Sequence, residues 1–323
     1  MKKSNLKIMV IGSGAWGTSI ANHLAKNSHD VYINSIDDKA IADINKNNTN
    51  KQFLPNIKLS KSLKAGRELK LDVDYIFLVI PSDTAPKVFE KLSKEQFKKN
   101  CCFVLCSKGV DHNSLELLSD SFERITNNKN YVVLSGPNFA IEVALSSPTI
   151  TNISSPNKNL AQKVINILNN DYFKAIYFND HKTAEVCGVV KNILAIGCGI
   201  IDELELGVNA KSALILKGIK EIQLICSKIK ASTDLANPAG FGDIFLTCSS
   251  VKSRNKSLGK LLAQGKSFEK NVTYEGANSA KVIVAMAKKY KIKLELCEEI
   301  SKIITGRFSA KEISQKIKKA ILQ

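Results

Sequence analysis

The feature that most narrows what this chain can fold into is a glycine pattern set between two hydrophobic periods. Leu6 to Ile11 is an apolar run with Lys7 inside it. Gly12-Ser13-Gly14-Ala15-Trp16-Gly17 follows at once, and Trp16 to Lys26 then has helical spacing. A strand, a G-x-G-x-x-G turn and a helix in that order bring backbone up to a pyrophosphate. Gly12 permits the tight turn, Gly14 lets the backbone approach phosphate, and Gly17 lets helix pack on strand. Ser13, Ala15 and Trp16 complete this candidate cofactor-binding turn, and the helix N-terminus favours the phosphate charge.

The same alternation continues. Val31 to Ile33, Tyr75 to Ile80, Cys102 to Cys106 and Tyr131 to Leu134 are short apolar runs suited to strands buried on both faces. Helical patterns over 39–47, 84–92, 115–125 and 157–168 separate or follow them, and Ala175 to Phe178 reads as a late strand. This predicts an α/β class: an N-terminal doubly wound, mainly parallel sheet of the Rossmann type. Beyond about residue 180 only helical patterns remain, at 183–204, 210–230, 255–264, 277–290, 297–304 and 310–321. The expected domains are therefore a nucleotide-binding domain over 1–180 and an all-α substrate and catalytic domain over 181–323.

Composition narrows the partners. The 323 residues carry a formal charge of +17, which suggests nucleic acid or a membrane surface. The arginines are only Arg67, Arg124, Arg254 and Arg307, however, and base readout relies on the planar Arg fork. A lysine-rich solvated surface that attracts anionic small molecules is the better reading, with no nucleic-acid partner. The eight cysteines form no C-x-x-C pair and read as buried thiols in a reducing compartment, so no metal site is expected. Met1-Lys2-Lys3 imitates the start of a secretory signal, but the apolar run stops at Gly12, too short for its core. Val186 to Ile201 contains Lys191 and falls short of the roughly 20 apolar residues of a membrane span. A cytoplasmic protein without stable membrane insertion is expected, and a homodimer is compatible with the sequence.

Asp37 and Asp38 follow the second strand. A carboxylate there can accept from a ribose 2′-hydroxyl, which leans towards NAD, while NADP stays open. Either residue can instead cap the next helix. Lys191 stands in an apolar helix with Cys187, Gly188, Leu194 and Ala195 at i±3 and i±4. An ammonium buried there needs a partner from elsewhere in the fold, and a lysine in such a setting suits general acid/base work. Asp243, entering an apolar run after Gly240-Phe241-Gly242, is the candidate partner; a helix cap is its plainer role. Ser253-Arg254-Asn255 opens a helix with a hydroxyl, a guanidinium and an amide, a fit for phosphate. Lys108 and Gly136-Pro137-Asn138 end strands at the edge where such sheets bind ligands.

Taken in order, GSGAWGT, CSKG, SGPNFA, VKNILAIGCGI, GVNAKSALI, AGFGDIFLTC, SRN and EG resemble bacterial NAD(P)-dependent glycerol-3-phosphate dehydrogenases from Ile11 to about Gly276. The resemblance implies reduction of dihydroxyacetone phosphate to sn-glycerol 3-phosphate for phospholipid synthesis. It assigns Lys191 as proton donor/acceptor and Asp243 as its partner. It places substrate at Lys108, Gly136, Asn138, Ser253, Arg254 and Asn255, and cofactor at Trp16, Lys108, Ala140, Arg254 and Glu275. Ile36 departs from the basic residue or His common there, which bears on NADP. Two other readings stay in view: a related hydroxy-acid or ketopantoate dehydrogenase, and a non-catalytic nucleotide sensor.

Overall fold

A computed structural model describes residues 5–266 and 274–322 of the chain. The signal-like Met1-Lys2-Lys3 lies outside the described residues. The chain divides into two compact units: Met1–Lys108 with Leu118–His181, and Gly109–Leu117 with Lys182–Gln323. The short excursion Gly109–Leu117 therefore belongs with the later residues, where Val110 and Leu117 join an all-helical core.

The first unit holds one sheet. In chain order its strands are β1 (Lys7–Ile11), β2 (Asp30–Asn34), β3 (Lys64–Gly66), β4 (Tyr75–Leu78), β5 (Cys102–Leu105), β6 (Tyr131–Ser135), β7 (Thr149–Ser154) and β8 (Phe173–Phe178). Their order across the sheet is β3-β2-β1-β4-β5-β6-β7-β8, and only β6 and β7 pair antiparallel. The helices are α1 (Ala15–Lys26), α2 (Asp38–Asn47), α3 (Ala85–Leu92), α4 (Leu118–Thr126), α5 (Ala140–Ala144) and α6 (Lys158–Leu168).

The continuous apolar runs have a direct cause. Along β1, Ile8 and Val10 enter the core shared with Leu24 of α1 and Ile44 of α2. Met9 and Ile11 enter the opposite core, with Phe89 of α3 and Phe122 of α4. A strand with helices on both faces has no polar face to show. Three elements escape the expected pattern. β3 is three residues long, α5 is five, and β7 reads Thr-Ile-Thr-Asn-Ile-Ser, with polar side chains buried where an apolar run was sought.

The second unit is helical: α7 (His181–Glu203), α8 (Val208–Lys228), α9 (Asp243–Ser249), α10 (Arg254–Ala263), α11 (Glu275–Lys289), α12 (Glu295–Thr305) and α13 (Ala310–Leu322). At 23 residues α7 is long and apolar enough to cross a membrane, which corrects the expectation of a segment too short to do so. Its apolar window is buried throughout, because the other helices close around it. A Cβ on Gly199 of α7 would stand 2.0 Å from the Lys256 carbonyl oxygen, and one on Gly259 of α10 2.0 Å from that of Ile196. The two helices thus meet backbone to backbone, and that contact fixes where the first turn of α10 lies along α7. All eight cysteines are buried free thiols, and burial pushes Cys101 up to about 12.

Gly259→Ala should destabilise the helical unit by about 1–3 kcal/mol through overpacking against α7. Denaturant unfolding followed by circular dichroism checks this; an unchanged midpoint would mean that α10 yields freely.

Candidate functional site

The turn between β1 and α1 has the construction its sequence requires. Gly12 has φ +114°, a conformation L side chains rarely adopt, and its N–H donates to the Asn34 carbonyl at 2.9 Å. A Cβ on Gly17 would stand 2.0 Å from the Gly12 carbonyl oxygen, so helix and turn are in contact. Gly14 differs: a Cβ there meets no protein atom within 4 Å. Its bare backbone is not demanded by packing, and it leaves the first turn of α1 open to approach. No described side chain caps that helix, so its leading N–H groups face this space. Backbone donors at a 12-residue helix beside an unfilled surface are a fit for a dinucleotide pyrophosphate.

The rest of the first unit's candidates lie around the ends of β5 and β6. Lys108 Nζ donates to the Gly136 carbonyl at 3.4 Å, and Asn138 Nδ2 donates to the Ile150 carbonyl at 3.1 Å. A Cβ on Gly136 would stand 2.7 Å from Thr151 Oγ1, so the turn after β6 passes tightly over β7. Ala140 opens α5, and its carbonyl accepts from Ser19 Oγ of α1 at 2.7 Å. Ala140 is thereby tied to the helix that carries the glycine turn. Asp37 turns out to be a cap: its carboxylate accepts from the N–H groups of Lys39 and Ala40 at the start of α2. Asp38 accepts a two-pronged contact from Arg67.

In the second unit Lys191 sits midway along α7, 7% exposed, and Asp243 begins α9, 1% exposed. Lys191 Nζ donates to Asp243 Oδ1 at 2.5 Å and to Thr247 Oγ1 at 3.0 Å. The Thr247 hydroxyl donates in turn to the Asp243 carbonyl at 2.7 Å. A π-type turn, Pro238–Gly242, brings the chain to α9, with Gly240 at φ −84°, ψ −110°. The carboxylate is therefore aimed at the lysine and does not cap its own helix. The Cys248 thiol nearby is held well above its ordinary range by its hydrogen bond with Cys198 and by burial, so it stays protonated at neutral pH.

Around this pair three helix ends converge. Ser253 caps α10 by accepting from the Lys256 N–H at 3.3 Å. Arg254 is exposed on the first turn, and Asn255 beside it is buried. Asn255 Oδ1 accepts from the Gly276 N–H at 3.0 Å, and a Cβ on Gly276 would stand 2.9 Å from the Asn192 carbonyl oxygen. The residue next to Lys191, the first turn of α10 and the start of α11 with Glu275 are thus locked together. Thr247 was not anticipated; its place four residues after Asp243, on the same helix face, is the signal that could have found it.

Comparison with known proteins agrees across the chain. Residues 7–161 match the family described as NAD-dependent glycerol-3-phosphate dehydrogenase N-terminus, and residues 180–315 match its C-terminus. A glycerol-3-phosphate dehydrogenase [NAD(P)+] of Parvibaculum lavamentivorans is 35% identical over 308 residues, 93% of this chain and 92% of its own. One from Malacoplasma penetrans is also 35% identical, over 97% of this chain and 96% of its own. The crystal structure of glycerol-3-phosphate dehydrogenase from Coxiella burnetii superposes with a TM-score of 0.91 at 29% identity, covering 99% of each chain.

Removing one member of the buried pair strands the other. Asp243→Ala should cost the helical unit about 3–5 kcal/mol, and most of that should return in Lys191→Met/Asp243→Leu, where no charge remains to bury. Urea unfolding of the two variants makes the comparison; a double variant no more stable than Asp243→Ala would show that charge is not the issue.

Proposed function

Because the chain belongs to the NAD-dependent glycerol-3-phosphate dehydrogenase family, we propose that Lys191 is its proton donor and acceptor. The protein is an NAD(P)-dependent oxidoreductase that reduces dihydroxyacetone phosphate to sn-glycerol 3-phosphate. The observation that carries the residue assignment is the buried Lys191–Asp243 pair, an ammonium held at 2.5 Å in the largely apolar middle of α7.

The nicotinamide ring, when bound, supplies the hydride that attacks the ketone carbon. Lys191 meets the negative charge that then develops on the ketone oxygen and delivers a proton to it; in the reverse direction it takes that proton back. Asp243 and Thr247 hold Nζ in one position, so little reorganisation accompanies the transfer. Arg254, with Ser253 and Asn255 at the N-terminus of α10, grips the substrate phosphate. That contact is remote from the reacting carbon, and its binding energy orients the ketone. Lys108, Gly136 and Asn138 are assigned to substrate as well. Gly12, Ser13, Gly14, Ala15, Trp16, Gly17 and Ala140, with Lys108, Arg254 and Glu275, are assigned to the dinucleotide. In this reading the enzyme is cytoplasmic, works without nucleic acid or membrane insertion, and assembles as a homodimer. Its product feeds phospholipid synthesis.

The purified protein should consume NAD(P)H with dihydroxyacetone phosphate, and far more slowly with phosphate-free dihydroxyacetone. Arg254→Ala should shrink that difference by about tenfold or more, since a charge-assisted contact is lost only for the phosphorylated ketone. Absorbance at the reduced nicotinamide band reads both; equal loss with the two ketones would remove Arg254 from phosphate binding.

A further inference from the structure

We propose that Asp38 and Arg67 set the choice between NADH and NADPH, with Asp38 holding the Arg67 guanidinium away from a 2′-phosphate and so favouring NADH. The proposal rests on the dehydrogenase reading above and specifies its cofactor.

In a doubly wound sheet the adenosine ribose lies beyond the carboxyl end of the second strand. Here that strand is β2, ending at Asn34. The Ser35 hydroxyl next to it shares a 2.6 Å hydrogen bond with the Ser13 hydroxyl, which joins the end of β2 to the glycine turn. Asp37 is engaged as the cap of α2. Ile36 is 89% exposed and brings no charge. The cation at this edge comes from the next strand over. Asn34 Nδ2 donates to the carbonyls of Arg67 and Glu68 at 2.9 and 3.0 Å, pinning the chain just past β3 to the end of β2. From there the Arg67 guanidinium donates through Nε to Asp38 Oδ1 at 2.9 Å and through an Nη to Oδ2 at 2.7 Å.

This two-pronged geometry is the one a phosphate would use. A 2′-phosphate must therefore compete with Asp38 for the same donors, in the field of two carboxylates. A 2′-hydroxyl, which carries no charge, meets no such penalty. The side chains are 58% and 76% exposed, so the pair is a surface ion pair of the easily broken kind, and Arg67 is free to change partner once Asp38 loses its charge.

The test is direct binding of NADH and NADPH to the full-length protein, followed by dinucleotide fluorescence without substrate. The wild type should bind NADH about tenfold or more tightly than NADPH. Asp38→Asn should tighten NADPH by about tenfold with NADH within about twofold, and Asp38→Asn/Arg67→Ala should lose that gain. Unaltered NADH binding by Asp38→Asn confirms that its pocket is intact. Binding of both dinucleotides with a ratio that Asp38→Asn does not move, or a gain that survives loss of Arg67, would overturn the role of the pair alone. Binding of neither by the wild type would overturn the dehydrogenase reading and the proposal together.

Discussion

The helical unit depends on an electrostatic constraint in its core: the Lys191 ammonium, buried in α7, must have a fixed anion. Lys191 could not occupy α7 on the strength of its own helix, where Cys187, Gly188, Leu194 and Ala195 at i±3 and i±4 offer no anion. Asp243 meets the demand from α9, and Thr247 adds a second acceptor for Nζ. A buried pair of this kind is poor value for stability alone, since well-packed apolar residues serve as well or better. The proposed catalytic role gives such a pair a purpose beyond stability.

Precise placement of that pair depends on features with no charge. The bare backbones at Gly199 and Gly259 let α10 lie directly on α7. Asn255 and Gly276 then join α10 and α11 to the stretch of α7 that bears Lys191 and Asn192. The proposed proton-handling group and the proposed phosphate grip are consequently parts of one connected assembly, within which binding energy at the phosphate would be converted into orientation at the ketone.

The fold was legible because its strongest signals are local. Strands covered on both faces read as short apolar runs, and the glycine turn announces its own geometry. What was hidden was whatever depended on partners distant in sequence. β7 buries Thr151, Asn152 and Ser154 as well as Ile153, so no apolar run marks it. The strip Gly109–Leu117 is claimed by the helical unit through Val110 and Leu117, two contacts that periodicity does not reveal. At the site, an isolated buried lysine and a carboxylate after glycines could be matched by chemistry alone. Asp37 could not be resolved that way, because a cap and a ribose acceptor look identical in sequence; the structure shows the cap, which the N–H groups of Lys39 and Ala40 make through Oδ1.

The central claim is that the Lys191 ammonium supplies the proton, and chemical rescue measures it most directly. Lys191→Ala should turn over about 10²–10⁴-fold more slowly. Small primary ammonium ions that fit the vacated space beside Asp243 should restore part of the rate, saturably and more effectively the more acidic the ion. Near-normal turnover in Lys191→Ala without added amine would contradict the account, as would a rate that quaternary ammonium ions, which have no proton to give, restore equally well.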